Sequence, residues 1–99
     1  MVIVLGSIVA RPGTFDALRQ AGLEHVHRSR AEPGCIAHAA HTDAENPLKL
    51  VFVEKWTDAA ALAAHFKVKG SIDFVARARE LAAEPPVIEI FEAASAKLA

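Results

Sequence analysis

Hydrophobic residues crowd the start of the chain: from Val2 to Val9 almost every position is apolar, most of them β-branched, with only Gly6 and Ser7 between. A strand that is apolar on both faces has to be covered on both. Arg11-Pro12-Gly13 breaks the strand, and Thr14 is placed to cap a helix running to about Arg30. Phe15, Leu18, Gly22, Val26 and Ser29 make its inward stripe with Leu23 beside them, while Arg19, Glu24, Arg28 and Arg30 face away. Glu32-Pro33-Gly34 stops it, because Pro33 restricts the residue before it and Gly34 permits a positive φ.

Cys35 to Thr42 reads as a second strand, Asp43 to Pro47 as a polar turn, and Leu48 to Thr57 as a third strand that completes a hairpin. A period of two puts Leu48, Leu50, Phe52, Glu54 and Trp56 on one face of the third strand, and Lys49, Val51, Val53 and Lys55 on the other. Thr57-Asp58 caps a second helix that carries Leu62, His65 and Phe66. Lys67 to Gly70 interrupts it. Ser71 is then placed to cap a further helix through Leu81, with Ile72, Val75, Ala78 and Arg79 near one stripe. Pro85-Pro86 ends that helix, and Val87 to Ala93 is the last strand.

The order β-α-β-β-α-β is the split βαβ, ferredoxin-like arrangement. This is an α+β fold whose four-stranded antiparallel sheet carries helices on one face. No repeat, linker or low-complexity segment divides the chain, so residues 1–99 are expected to form a single domain. Val2/Val4/Ile8 and Ile3/Leu5/Val9 are two apolar faces of the first strand, and Ile88/Ile90 oppose Val87/Phe91 in the same way on the last. Helices can cover only one of each. The other predicts a partner surface, most simply a second copy of the chain in a homodimer packed sheet to sheet.

Composition narrows the function classes. At 53% hydrophobic residues the chain builds a core without needing a disulfide or a structural metal. Eleven basic and twelve acidic residues, with no Lys/Arg run, argue against nucleic acid as a partner. No segment reaches the roughly 20 apolar residues of a membrane span, and Val2 to Leu5 is too short for a signal-peptide core. The single cysteine, Cys35, makes no internal disulfide. A cytoplasmic protein is the expectation.

Candidate chemistry gathers between Glu32 and Phe66. His65 shares a stripe with Leu62, so it points inward, and an imidazole titrating near 6.5 suits a general base. Trp56 and Phe52 offer an aromatic wall to a planar ligand. Glu54, a charge on an apolar face, is costly to bury alone. It would either orient a histidine or pair with a cation across the sheet or dimer. His38 and His41, three apart on a strand, face opposite sides. His25 and His27 diverge on their helix, and with His41 they read as surface. No local spacing chelates an ion, so no metal site is expected. Ser7 and Cys35 lack a neighbouring base in a recognisable arrangement and receive no covalent role.

The run Glu32-Pro33-Gly34-Cys35-Ile36, then Glu54-Lys55-Trp56-Thr57-Asp58, then Leu62 and His65-Phe66, resembles the antibiotic biosynthesis monooxygenase domain family. That resemblance implies a dimeric α+β barrel. The family includes cofactor-free oxygenases of quinols and polyphenols, haem-degrading monooxygenases and an isomerase of a signalling sugar phosphate. Quinol-oxidising relatives usually carry a tyrosine where this chain has His38. The haem-degrading branch uses a first-strand asparagine with a tryptophan and a histidine; Trp56 and His65 match the latter two, and Ser7 stands nearest the first.

The resemblance therefore implies a cofactor-independent monooxygenase acting on a phenolic or quinol-type small molecule. His65 and His38 would be its catalytic residues, with Trp56, Phe52, Glu54 and Ser7 at the substrate. A phenol near 10 and an imidazole near 6.5 differ by about 3.5 units, or roughly 5 kcal/mol, so hydrogen bonds to the forming phenolate are needed. Two alternatives stand beside it. A non-catalytic dimeric binding module is favoured by the missing tyrosine, and a haem-binding or haem-degrading protein is disfavoured by Ser7.

Overall fold

A computed structural model describes residues 1–98. β1 (Val2–Val9) leads into α1 (Phe15–Ser29), β2 (Cys35–Asp43) and β3 (Asn46–Trp56) form a hairpin, and α2 (Ala59–Lys67), α3 (Lys69–Leu81) and β4 (Val87–Glu92) follow. The strands make one antiparallel sheet in the order β2-β3-β1-β4, the ferredoxin-like α+β arrangement the periodicities predict. Alternation explains the covered face. Val2, Val4 and Ile8 of β1 and Leu50, Phe52, Glu54 and Trp56 of β3 are all buried, and the register sets Val4 against Glu54 and Gly6 against Phe52. Leu18, Val26, Ala78 and Leu81 from the helices complete the larger core, while Val2, Val4, Trp56 and Leu62 form a second, smaller one.

Two glycines let the layers close. A Cβ at Gly22 would stand 2.8 Å from Leu50 Cδ2 and 3.2 Å from Phe52 Cζ, so only a bare backbone lets α1 lie this near β3. Gly34 has a φ of 83°, and a Cβ there would lie 2.5 Å from that of Ala61. Its carbonyl accepts from the Thr57 amide at 2.8 Å, which ties the loop after α1 to the start of α2.

The details depart from the periodic reading in three places. Thr14 precedes α1 as expected, but its hydroxyl donates to the carbonyls of Leu81 (2.7 Å) and Arg11 (3.0 Å) and caps no amide. The hairpin turn is tighter than expected, with Asp43 opposite Asn46, so β3 begins before Leu48. Ser71 does not start the third helix. One extended residue, Val68, ends α2 and begins α3, which puts Ser71 a turn inside and buried. The buried stripe is Ser71, Ala78 and Leu81 with Phe74 beside it, whereas Ile72 and Val75 are 57% and 47% exposed. Asp58 does cap α2, its Oδ1 accepting from the Ala61 amide at 2.8 Å.

The helices stop short of β4. Every residue of that strand is exposed, including Ile88 and Ile90 on the helix side. No helix among the described residues is long and apolar enough to cross a membrane.

Candidate functional site

A cavity of about 800 Å3 opens between the β1–β4 side of the sheet and the helices, and Gly6, Phe52, Glu54, His25, His65 and Phe74 are among its walls. Gly6 accounts for the space. It occupies a helix-facing position of β1 between Val4 and Ile8, where any longer side chain would stand in the void. Phe66, Val75, Val87 and Ile88 make the lining mostly apolar, and Arg79 contributes a cation.

Polar chemistry converges at the inner end. His65 falls on the buried face of α2 with Leu62. Its Nδ1 lies 2.9 Å from Glu32 Oε1 and 3.4 Å from the Ser71 hydroxyl. A carboxylate only accepts, so Nδ1 carries the proton in this contact, and in the neutral ring the lone pair is then on Nε2. Glu32 reaches this position because the loop after α1 is closed by two backbone bonds, Glu32 N to Ser29 O (3.0 Å) and Cys35 N to Glu32 O (3.2 Å).

His38 stands opposite Glu54 in the β2–β3 register and is buried. Its Nε2 lies 3.3 Å from Glu54 Oε1, near enough to feel the charge but not aligned as a hydrogen bond. Neither ring nitrogen of His38 therefore has a hydrogen-bond partner. Glu54 Oε1 also accepts from Trp56 Nε1 at 3.0 Å. Burial pulls the Glu54 carboxyl upward, but His38, the indole N–H and the more distant His65 together hold it below the ordinary glutamate value.

His25, expected at the surface, is buried. It stacks on Phe74 with ring centroids 4.3 Å apart, and the Arg28 guanidinium donates to its Nδ1. Burial first, then the neighbouring His38, Arg28 and His65, lowers its pKa to about 3, so it is neutral across the physiological range. The rings of His25, His38 and His65 have centroids 5.2–5.7 Å apart, and one nitrogen from each lies within 4.8 Å of the others. Spacing within single elements could not reveal this cluster, because α1, β2 and α2 each supply one member.

The two aromatic residues expected at a ligand part company. Phe52 lines the cavity, while Trp56 is fully buried among Val2, Val4 and Leu62 and is absent from the cavity wall. Its contribution is indirect, through Glu54 and through the His65 ring 4.6 Å away. Ser7 borders the cavity, but alternation assigns its side chain to the opposite face with Ile3, Leu5 and Val9. Burial raises the Cys35 thiol pKa, as do the carboxylates of Glu54 and Glu32, which disfavours the thiolate form. No local pattern in the sequence marks Glu32, Gly6 or Phe74 for the site. His25 had a visible signal, since Leu18, Gly22, His25 and Ser29 repeat at helical spacing.

The family model described as antibiotic biosynthesis monooxygenase matches residues 1–77. The chain belongs to the antibiotic biosynthesis monooxygenase family. Within its wider neighbourhood, the protein sll1783 of Synechocystis is 30% identical over 93 residues, which are 94% of this chain and 63% of that protein. The chain thus spans less than two thirds of that relative's length. Among solved structures, Rv0793 from Mycobacterium tuberculosis superposes with a TM-score of 0.90 at 24% identity over 96% of each chain. A structure described as an antibiotic biosynthesis monooxygenase superposes at 0.89 and 25% identity, covering 96% of this chain and all of its own. The antibiotic biosynthesis monooxygenase fold therefore accounts for the β1 to β4 framework that encloses the histidines.

Proposed function

We propose that this chain is a cofactor-independent monooxygenase of a phenolic or quinol-type small molecule. The observation that carries the reading is the His65–Glu32 pair, 2.9 Å apart, on the wall of a mostly apolar cavity. His65 Nε2 removes the substrate hydroxyl proton while Glu32 holds Nδ1–H and stabilises the imidazolium that forms. With Arg28 donating to its Nδ1, neutral His25 keeps its proton on Nε2 and offers an N–H to the developing phenolate. Phe52 packs against the substrate ring.

The electrons come from the substrate. The phenolate reduces dioxygen and couples with it at a ring carbon bearing hydrogen, giving a hydroperoxide. Loss of that C–H proton then breaks the O–O bond, so a phenol and one dioxygen leave as a quinone and one water. A second copy of the chain would cover the open sheet face, where Leu5 is 40% exposed. The lone unpaired Cys35 suits the cytoplasm.

Oxygen uptake with a panel of phenols and hydroquinones, run with a metal chelator present, tests the activity. Consumption above the buffer rate that falls in His65→Ala supports it. A panel consumed no faster than in buffer leaves the non-catalytic binding module as the better reading.

A further inference from the structure

The buried histidines hold more ligand capacity than a single base requires. His25, His38 and His65 present one nitrogen each within 4.8 Å of one another, and all three are buried. His38 is the decisive member. Its side chain is wholly inaccessible, its Nδ1 has no hydrogen-bond partner, and its Nε2 has only the poorly aligned Glu54 carboxylate at 3.3 Å. A buried polar group in that condition costs free energy unless something satisfies it. The ring sits 5.7 Å from that of His65 and 5.3 Å from that of His25, too far for either to bond it well but near enough to share one ion with it.

We infer that these three imidazoles form a binding site for a divalent first-row transition metal. Three histidines with an open position are the ligand set of many such sites, and imidazole selects these ions over magnesium or calcium. Metal–nitrogen bonds of about 2.1 Å in a tetrahedral arrangement place the nitrogens roughly 3.4 Å apart, so the rings draw in by about an ångström on loading. The surroundings match. His65 already rests its Nδ1 on the Glu32 carboxylate at 2.9 Å, the outer hydrogen bond that orients a ligating histidine. Glu54, 3.3 Å from His38, supplies negative charge beside the cation. His25 and His65 line the cavity, so the fourth position faces it and would accept water or a hydroxylated ligand.

Arg28 opposes the ion. It has only protons to give, and it bonds His25 Nδ1 through that nitrogen's lone pair. If His25 ligates through Nδ1, the ion takes that lone pair. If it ligates through Nε2, the proton moves to Nδ1. Either way loading turns the guanidinium aside, so removing it should tighten binding.

The inference concerns binding and does not rest on the oxygenase reading. It does bear on it, because the ion would take the lone pair with which His65 acts as a base. The test is calorimetric titration of the chelator-treated protein with Zn2+, and with Co2+ followed by its visible absorption. Expected are one saturable site per chain, a tetrahedral Co2+ spectrum, and no comparable binding of Mg2+ or Ca2+. His38→Phe, checked for folding by circular dichroism, should weaken binding at least 10- to 100-fold. His41→Ala, which changes an exposed histidine, should leave binding as it was. Arg28→Met should tighten it. Absence of a saturable site in both the parent and Arg28→Met overturns the inference, as does a folded His38→Phe that binds as tightly as the parent. Chelator-resistant oxygen uptake alongside such a failure would leave the oxygenase reading intact.

Discussion

The two halves of the sheet invert the usual rule of burial. Under the helices, along β2 and β3, the interior holds His38 and Glu54 with His25 and His65 pressed against them. Along β4 the strand is bare, and Val87, Ile88, Ile90 and Phe91 are all about half exposed. Polar groups are inside where the fold is closed, and apolar groups are outside where it is open. Each half carries a cost that a self-sufficient domain would avoid. The closed half trades stability for a cluster of buried imidazoles beside a carboxylate, the groups proposed to handle protons and to hold an ion. The open half keeps an apolar surface for which a second chain is the proposed cover.

The largest expected effect is on the closed half and follows from acid. His25 has its pKa lowered from 6.5 to about 3 in the folded chain. Between those values the unfolded chain binds the proton and the folded one does not, so stability falls as pH drops from 6.5 toward 3. That difference corresponds to at most roughly 5 kcal/mol. Glu54 acts in the same direction: its folded pKa is depressed, so the stability it contributes above its unfolded value is lost as pH falls through the folded one. Denaturant unfolding from pH 7 to 4 should show this slope, and His25→Phe should flatten it. An equally steep profile in that variant would detach His25 from the cost.

Next comes His65, the proposed base. His65→Ala should lower the oxygen-uptake rate roughly 10²- to 10⁴-fold on a phenol that the parent consumes. Glu32→Gln should lower it less and alter its pH dependence, because the neutral amide no longer stabilises the imidazolium. Trp56→Phe removes the indole N–H from the buried Glu54 carboxylate and should cost about 1–3 kcal/mol in denaturant unfolding.

The open half should respond least in stability. Leu5→Asp changes a partly exposed side chain on the uncovered face and should move the unfolding free energy of the single chain by under about 0.5 kcal/mol. It should nevertheless shift mass, measured by light scattering, from dimer to monomer. A parent that scatters as a stable monomer would break the comparison, because the bare half would then need no partner.

Reading the chain one element at a time recovered most of the frame. β1 runs from Val2 to Val9 as its apolar run predicts, and the alternation of β3 placed Phe52, Glu54 and Trp56 on one face. It failed where an element's neighbours set its rotation. Ile72 and Val75 look like a helical stripe, yet the extended Val68 starts α3 at Lys69 and presents Ser71 and Ala78 inward. Trp56 and Phe52 share a face, but only position along the strand relative to Leu62 and Gly6 makes one core and the other cavity wall.

By itself the sequence determined the strand and helix order, the buried face of β3, the inward turn of His65 and the family likeness. All of these are written in periods of two and 3.6 or in runs a few residues long. Tertiary structure alone decided that His25, His38 and His65 meet, that Glu32 and not Glu54 holds His65, and that His38 stays without a hydrogen-bond partner. Those residues come from elements far apart in the chain. Their distances depend on sheet register, helix rotation and the close approach allowed by Gly22 and Gly34, which no local periodicity encodes.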